Sequence, residues 1–260
     1  VVPRKVLVTG SSGAVGQLLL PHLQAMHLDL RLADRLTEGE ACCELRDPED
    51  CDRVVRGVSA IIHLAGAAKE APLGALLPDN ALALDNLLRS AVRHGVQHFV
   101  FASSMHVMGM YERRDAFNEY SEPQPDSFYA VCKLQGEALC RLYTAKRPLS
   151  ATCLRLGSVT ERLEDADPGA WISPEDVVSM VDIALRLPVP SFEIFHAVAD
   201  YSWSPLPYSR ARHFGYRCAR SAGSYRRVLE KVQTWWRDDE FARTRRGATF
   251  AAASLEDPKV

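Results

Sequence analysis

Short apolar runs alternate along this chain with longer segments in which apolar residues recur every three or four positions. The first run, Lys5–Thr9, reads as a strand and leads through a glycine turn into an amphipathic helix from Ala14 to about Met26. Asp29–Ala33 is the next strand, Ala41–Leu45 a weaker one, and Pro48–Arg56 a helix. A strand at Ala60–His63, a long helix over Asp79–His94 and a strong central strand at Gln97–Ala102 follow. Then come a helix over Asp126–Lys146, a strand at Ala151–Leu156, a helix over Ser173–Leu187 and a last strand at Phe192–Ala197. Such alternation predicts an α/β fold, a doubly wound parallel sheet with helices on both faces and a ligand site at the carboxyl ends of the strands. Beyond Tyr201 the pattern is irregular apart from a helical Tyr225–Phe241, which predicts a small C-terminal cap on the substrate side. The polar, alanine-rich tail Thr244–Val260 is expected to pack on the surface or on a neighbour.

Charge and composition narrow the function. The 33 acidic and 31 basic residues are spread along the chain and leave a net charge of −2. That lacks the concentrated positive field a nucleic-acid partner requires. No apolar stretch approaches the roughly 20 residues of a membrane span, so no membrane partner is expected. The start, Val-Val-Pro-Arg-Lys, shows no secretory signal, and a cytoplasmic protein is expected; the missing initiator Met leaves room for a few preceding residues. Seven cysteines form no C-x-x-C pair and read as reduced thiols used as small core residues.

Two constellations carry chemistry. Thr9-Gly10-Ser11-Ser12-Gly13-Ala14-Val15-Gly16 lies between the first strand and the first helix, where glycines let the backbone approach a pyrophosphate at a helix N-terminus. Asp34 follows about 20 residues later, placed to accept from both ribose hydroxyls and to repel a 2′-phosphate, so NAD is expected rather than NADP. Arg35 beside it reads as a solvated turn residue, although an arginine there can also pair with such a phosphate. Glu44 and Leu45 are placed to meet the adenine edge. Further on, Tyr129 and Lys133 are four residues apart on a helix, with Ser104 at the end of the central strand. An ammonium near a phenol favours the phenolate, and a serine hydroxyl can hold the substrate oxygen, which suits moving a proton on or off a carbinol.

The segments Thr9–Gly16, Asp34, His63-Leu64-Ala65-Gly66, Ser103-Ser104, Tyr129-Ala130-Val131-Cys132-Lys133 and Arg155-Leu156-Gly157-Ser158 together resemble short-chain dehydrogenases/reductases of the extended, epimerase/dehydratase-like type, with a Rossmann-type fold. V-F-A-S-S-M-H-V-M-G, R-L-G-S, H-F-G-Y and the short length make the chain most similar to the uronate dehydrogenases. The resemblance implies one domain over 1–260, with an NAD-binding core at about 5–200 and substrate-side elements at about 157–175 and 201–250. It implies that Gly10, Ser12, Gly13, Ala14, Val15 and Gly16 hold the pyrophosphate of NAD, and that Asp34 takes the ribose. Leu64, Ala65, Gly66, Asn80 and Leu156 would line the cofactor. Tyr129 would be the general base, Ser104 its hydrogen-bonding partner, and Lys133 the group that bridges the nicotinamide ribose and lowers the Tyr129 pKa. A homo-oligomer acting on a small molecule is expected.

The chain also departs from the uronate pattern. Ala68 stands where that family has a serine, and Met105 stands where it has an asparagine; His106 and Ser158 remain at substrate positions. The loop Glu161–Ala170, which carries the family's carboxylate-binding arginine, offers only Arg162 among four acids. A carboxylate buried without a cation costs several kcal/mol, so hexuronates are expected to be poor substrates. The leading reading is an NAD-dependent dehydrogenase of a sugar-like hydroxyl. A nucleotide-sugar epimerase or dehydratase with transient redox, and a non-catalytic NAD-binding regulator, are the alternatives; the short C-terminal part opposes the first and the intact Ser104–Tyr129–Lys133 set the second.

Overall fold

The computed structural model describes residues 5–163, 170–199, 209–220, 239–247 and 249–255. Six parallel strands form the main sheet: β1 (Lys5–Thr9), β2 (Asp29–Ala33), β3 (Ala60–His63), β4 (His98–Ser104), β5 (Ser150–Leu156) and, after the short parallel pair β6 (Ser158–Val159) and β7 (Trp171–Ile172), β8 (Ser191–Ala197). Their spatial order is β2-β1-β3-β4-β5-β8. The chain leaves β1 in one direction and returns to its other side for β3, so the crevice opens where Thr9 lies beside His63.

Side-chain alternation builds a core on each face. Val6, Val8, Ala60, Ile62 and Val100 pack to one side with α1 (Ala14–Ala25) and α6 (Pro174–Ala184). Leu7, Ile61, Phe99 and Phe101 pack to the other with α2 (Pro48–Val55), α4 (Ala83–Arg93) and α5 (Phe128–Lys146). Strands buried on both faces read as continuous apolar runs, which is why the sequence locates them so closely.

Three elements differ from expectation. The weak strand at Ala41–Leu45 is instead a 3₁₀ turn, Gly39–Ala41, with a single bridge from Asp34 to Cys42. The long helix over Asp79–His94 begins earlier, as α3 (Leu73–Leu77), and passes through a π-type turn, Pro78–Leu82, before α4. α5 starts at Phe128 because the Ser127 hydroxyl caps it, accepting from the Ala130 N–H at 3.1 Å. Most of the expected helix Tyr225–Phe241 lies outside the described residues. Five of the seven cysteines are buried, as core thiols should be, while Cys42 is exposed and Cys218 half-buried. Among the described residues no helix is long and apolar enough to cross a membrane.

Candidate active site

Two clefts meet at the carboxyl ends of the strands. The first is lined by Gly10, Gly13, Asp34, Arg35, Glu44, Leu45, Leu64, Ala65 and Gly66, joined by Asp79. Its floor depends on two glycines. Gly10 has φ 73°, in the left-handed region, and a Cβ on Gly16 would stand 2.3 Å from the Gly10 carbonyl, so both positions need hydrogen in place of a side chain. Asp34 accepts from the Ser12 N–H at 3.0 Å and the Leu36 N–H at 2.9 Å, which fixes its carboxylate at the rim. Arg35 is not simply a solvated turn residue: it pairs with Asp79 at 3.0 Å, and Arg46 approaches the same carboxylate at 3.7 Å.

The second cleft is lined by Val15, Ala68, Ser104, Met105, His106, Tyr129, Lys133, Leu156 and Ser158, and shares Leu64 and Gly66 with the first. β4 delivers Ser104 at its end, and the first two turns of α5 bring Tyr129 and Lys133 against it. Lys133 is buried and donates to the Ala102 carbonyl at 2.8 Å, its ammonium 5.6 Å from the Tyr129 ring centre. Burial pushes Lys133 down to about 8 and Tyr129 up to about 12; a hydrogen bond from Ser104 draws the phenol partly back. Lys133 was expected to lower the Tyr129 pKa; in the fold burial raises it, and the lowering contribution comes from the Ser104 hydrogen bond.

The residues present fit a dinucleotide. Beside the shared wall, Asn80 sits buried in the π-type turn; its amide donates to the Ala67 carbonyl at 3.2 Å, while its Oδ1 has no hydrogen-bond partner among the described residues. That oxygen lies 2.5 Å from where a Gly66 Cβ would be, near the Lys133 ammonium, and is available to a polar ligand. Ala14 opens α1 behind the glycine loop.

Arg162 is exposed and does not line the cleft, and Glu164–Gly169 of its loop lie outside the described residues. Sequence reasoning missed four residues that the fold brings in. Arg246 and Phe250 come from the C-terminal segment and form part of the cleft wall, so the tail is not merely surface. Glu70, from the loop after β3, accepts from the Phe128 and Tyr129 N–H groups, and the buried Asp126 carboxylate holds His106.

A model of the NAD dependent epimerase/dehydratase family matches residues 6–163, more than half of the chain. The chain belongs to that family. This epimerase/dehydratase-family chain is also similar to a uronate dehydrogenase of Agrobacterium fabrum, 34% identical over 88% of this chain and 89% of the relative. An NAD-dependent glucose-6-phosphate dehydrogenase of Haloferax volcanii is 29% identical over 80% and 89%. Among solved structures, a mutant uronate dehydrogenase from Agrobacterium tumefaciens complexed with NAD superposes with a TM-score of 0.85 at 26% identity, covering 97% of this chain and 98% of that one. The chain is an NAD-dependent oxidoreductase acting on a CH–OH group.

Proposed function

We propose that the chain oxidises a hydroxyl of a sugar or sugar-derived substrate, with Tyr129, Ser104 and Lys133 as its catalytic set. The observation that carries this reading is the shared wall of Leu64 and Gly66, through which the nucleotide cleft opens directly onto Ser104, Tyr129 and Lys133. NAD, when bound, accepts the hydride and brings a positively charged ring that favours the phenolate. Gly10, Gly13, Gly16 and Asp34 would hold its adenosine and pyrophosphate part, and Asn80 and Lys133 the part nearest the sugar. Tyr129 then takes the hydroxyl proton as the carbon gives up its hydride, while Ser104 keeps the oxygen in place. At pH 7 Lys133 remains mostly an ammonium at its depressed value of about 8, and so supports charge on the neighbouring phenolate.

The substrate class follows from the cleft and from the relatives, which act on uronates and glucose 6-phosphate. A cyclic sugar fits a wall of hydroxyls, an imidazole and the Phe250 ring. Met105 and Ala68 supply no hydrogen bonds there, and Arg162 is absent from the wall. The guanidinium that does line it, Arg246, donates to the Arg113 and Asp115 carbonyls; together these features favour a neutral sugar over a hexuronate. The chain acts as one catalytic domain of a cytoplasmic homo-oligomer. The test is NADH formation across aldoses, uronic acids and sugar phosphates. Stoichiometric NADH release supports a dehydrogenase; isomerised sugar without net NADH would instead mean an epimerase.

A further inference from the structure

In the sequence Asp126 marks only the expected start of a helix, yet its side chain is fully buried beside the second cleft. Its Oδ1 accepts from the Ser127 hydroxyl at 2.6 Å, and its Oδ2 lies 2.8 Å from His106 Nδ1. The Asp126 N–H also donates to the His106 carbonyl at 3.3 Å, so the histidine is held by both backbone and ring. The imidazole stands edge-on to the Tyr129 ring at 5.9 Å and against the Phe250 ring at 4.2 Å.

The carboxylate has no room to turn away. A Cβ on Gly109 would be 1.6 Å from Oδ2, and one on Gly247 would be 1.8 Å from it. These two glycines are themselves joined, the Gly247 N–H donating to the Gly109 carbonyl at 2.9 Å. The C-terminal segment thus closes over Asp126 only because both positions lack side chains.

An ionised carboxylate accepts only, so the favourable bond to His106 requires the proton on Nδ1. In the neutral ring the opposite nitrogen, Nε2, then has a lone pair and no proton. We propose that Asp126 is a positioning residue that fixes this tautomer of His106, presenting Nε2 to the cleft as an acceptor for a substrate hydroxyl. The site thereby selects a sugar with a donor at that position and disfavours one with a carboxylate there. This selection rests on the dehydrogenase reading; the tautomer does not.

Asp126→Asn tests it. The Ser127 hydroxyl will keep the amide oxygen on its side, turning the NH₂ group towards Nδ1 and driving the ring proton to Nε2. Nitrogen-15 NMR of histidine-labelled enzyme, with His106 assigned through His106→Gln, should show a protonated Nδ1 in the parent and a protonated Nε2 in the variant. The sugar KM should rise about 10- to 100-fold, with kcat changed less and NAD affinity unchanged. In a His106→Gln background the same substitution should add nothing to KM. A parent ring protonated on Nε2 overturns the proposal, even if the variant does not fold. So does a KM increase with no change of tautomer, which would make Asp126 structural only. A tautomer switch in an enzyme that forms no NADH from any sugar would sink the dehydrogenase reading while leaving the tautomer assignment in place.

Discussion

Glu70 reaches from the loop after β3 to the start of α5, where its carboxylate accepts the Tyr129 N–H at 2.8 Å and the Phe128 N–H at 2.9 Å. The backbone of the proposed base is therefore held from across the crevice, by a group that also answers the positive end of the helix. Glu70→Ala should lower stability by about 1–2 kcal/mol and reduce kcat several-fold. Glu70→Gln, which keeps one acceptor oxygen, should fall between. Thermal unfolding with steady-state rates measures both, and an unchanged kcat in Glu70→Ala would remove its role in placing Tyr129.

Tyr129→Phe keeps the ring but removes the proton acceptor, so turnover should drop about 10²-fold or more with NAD binding little altered. Lys133→Ala should damage turnover and cofactor affinity together. Because burial holds the phenol at about 12, its phenolate fraction grows with pH throughout the range below that value. The rate of alcohol oxidation should accordingly climb between roughly pH 6 and 8; a flat profile would exclude Tyr129 as the titrating base.

NAD should bind at least about tenfold tighter than NADP, roughly 1.4 kcal/mol, since Asp34 is fixed at the rim and Arg35 is engaged by Asp79. Asp34→Ala should narrow the gap. Equal affinities in the parent, measured by titration, would show that Arg35 leaves Asp79 for the phosphate.

Arg246 donates from Nη2 to the Arg113 and Asp115 carbonyls at 2.8 and 3.0 Å and lies over the Phe117 ring. Its contacts bind the C-terminal segment to the cleft wall. Arg246→Ala should therefore raise KM for charged and neutral sugars alike, with neutral sugars remaining better than glucuronate. A loss confined to acidic substrates would instead identify Arg246 as their anchor and reverse the preference inferred from Met105 and Ala68.

Burial holds His63 and His196 at about 3, with the Lys133 ammonium adding to the effect on the first and Arg155 and Arg246 on the second. Both rings are neutral in the fold, whereas an unfolded histidine takes up a proton near 6.5. Stability from these groups is complete above that value and is lost as pH falls towards 3, roughly 2 kcal/mol from each by pH 5. Unfolding temperatures measured from pH 7.5 to 5 should fall steeply, and less so in His63→Gln.

What the sequence made legible has a common physical basis. β1, β3 and β4 are buried on both faces, so their apolar runs stand out, and Gly10, Tyr129 and Lys133 occupy local motifs with fixed spacing. The π-type turn holding Asn80 is hidden inside one continuous helical pattern. Glu70 lies 59 positions from Tyr129, and Arg246 lies more than 130 from the carbonyls it meets; neither distance leaves a periodic trace. The strand expected at Ala41–Leu45 does not form: a 3₁₀ turn over Gly39–Ala41 and a single bridge from Asp34 to Cys42 stand there instead.

α5 is fastened at three heights. Glu70 holds its first turn, Lys133 ties the second to β4, and Glu137 lies buried between the Arg155 guanidinium at 2.8 Å and the Ser103 hydroxyl at 2.6 Å. Lifting this helix would strip an arginine of its counter-charge inside the protein. The groups assigned to proton transfer therefore stand on an anchored jaw of the enzyme, with the Phe250 ring of the C-terminal segment 5.9 Å from that of Tyr129.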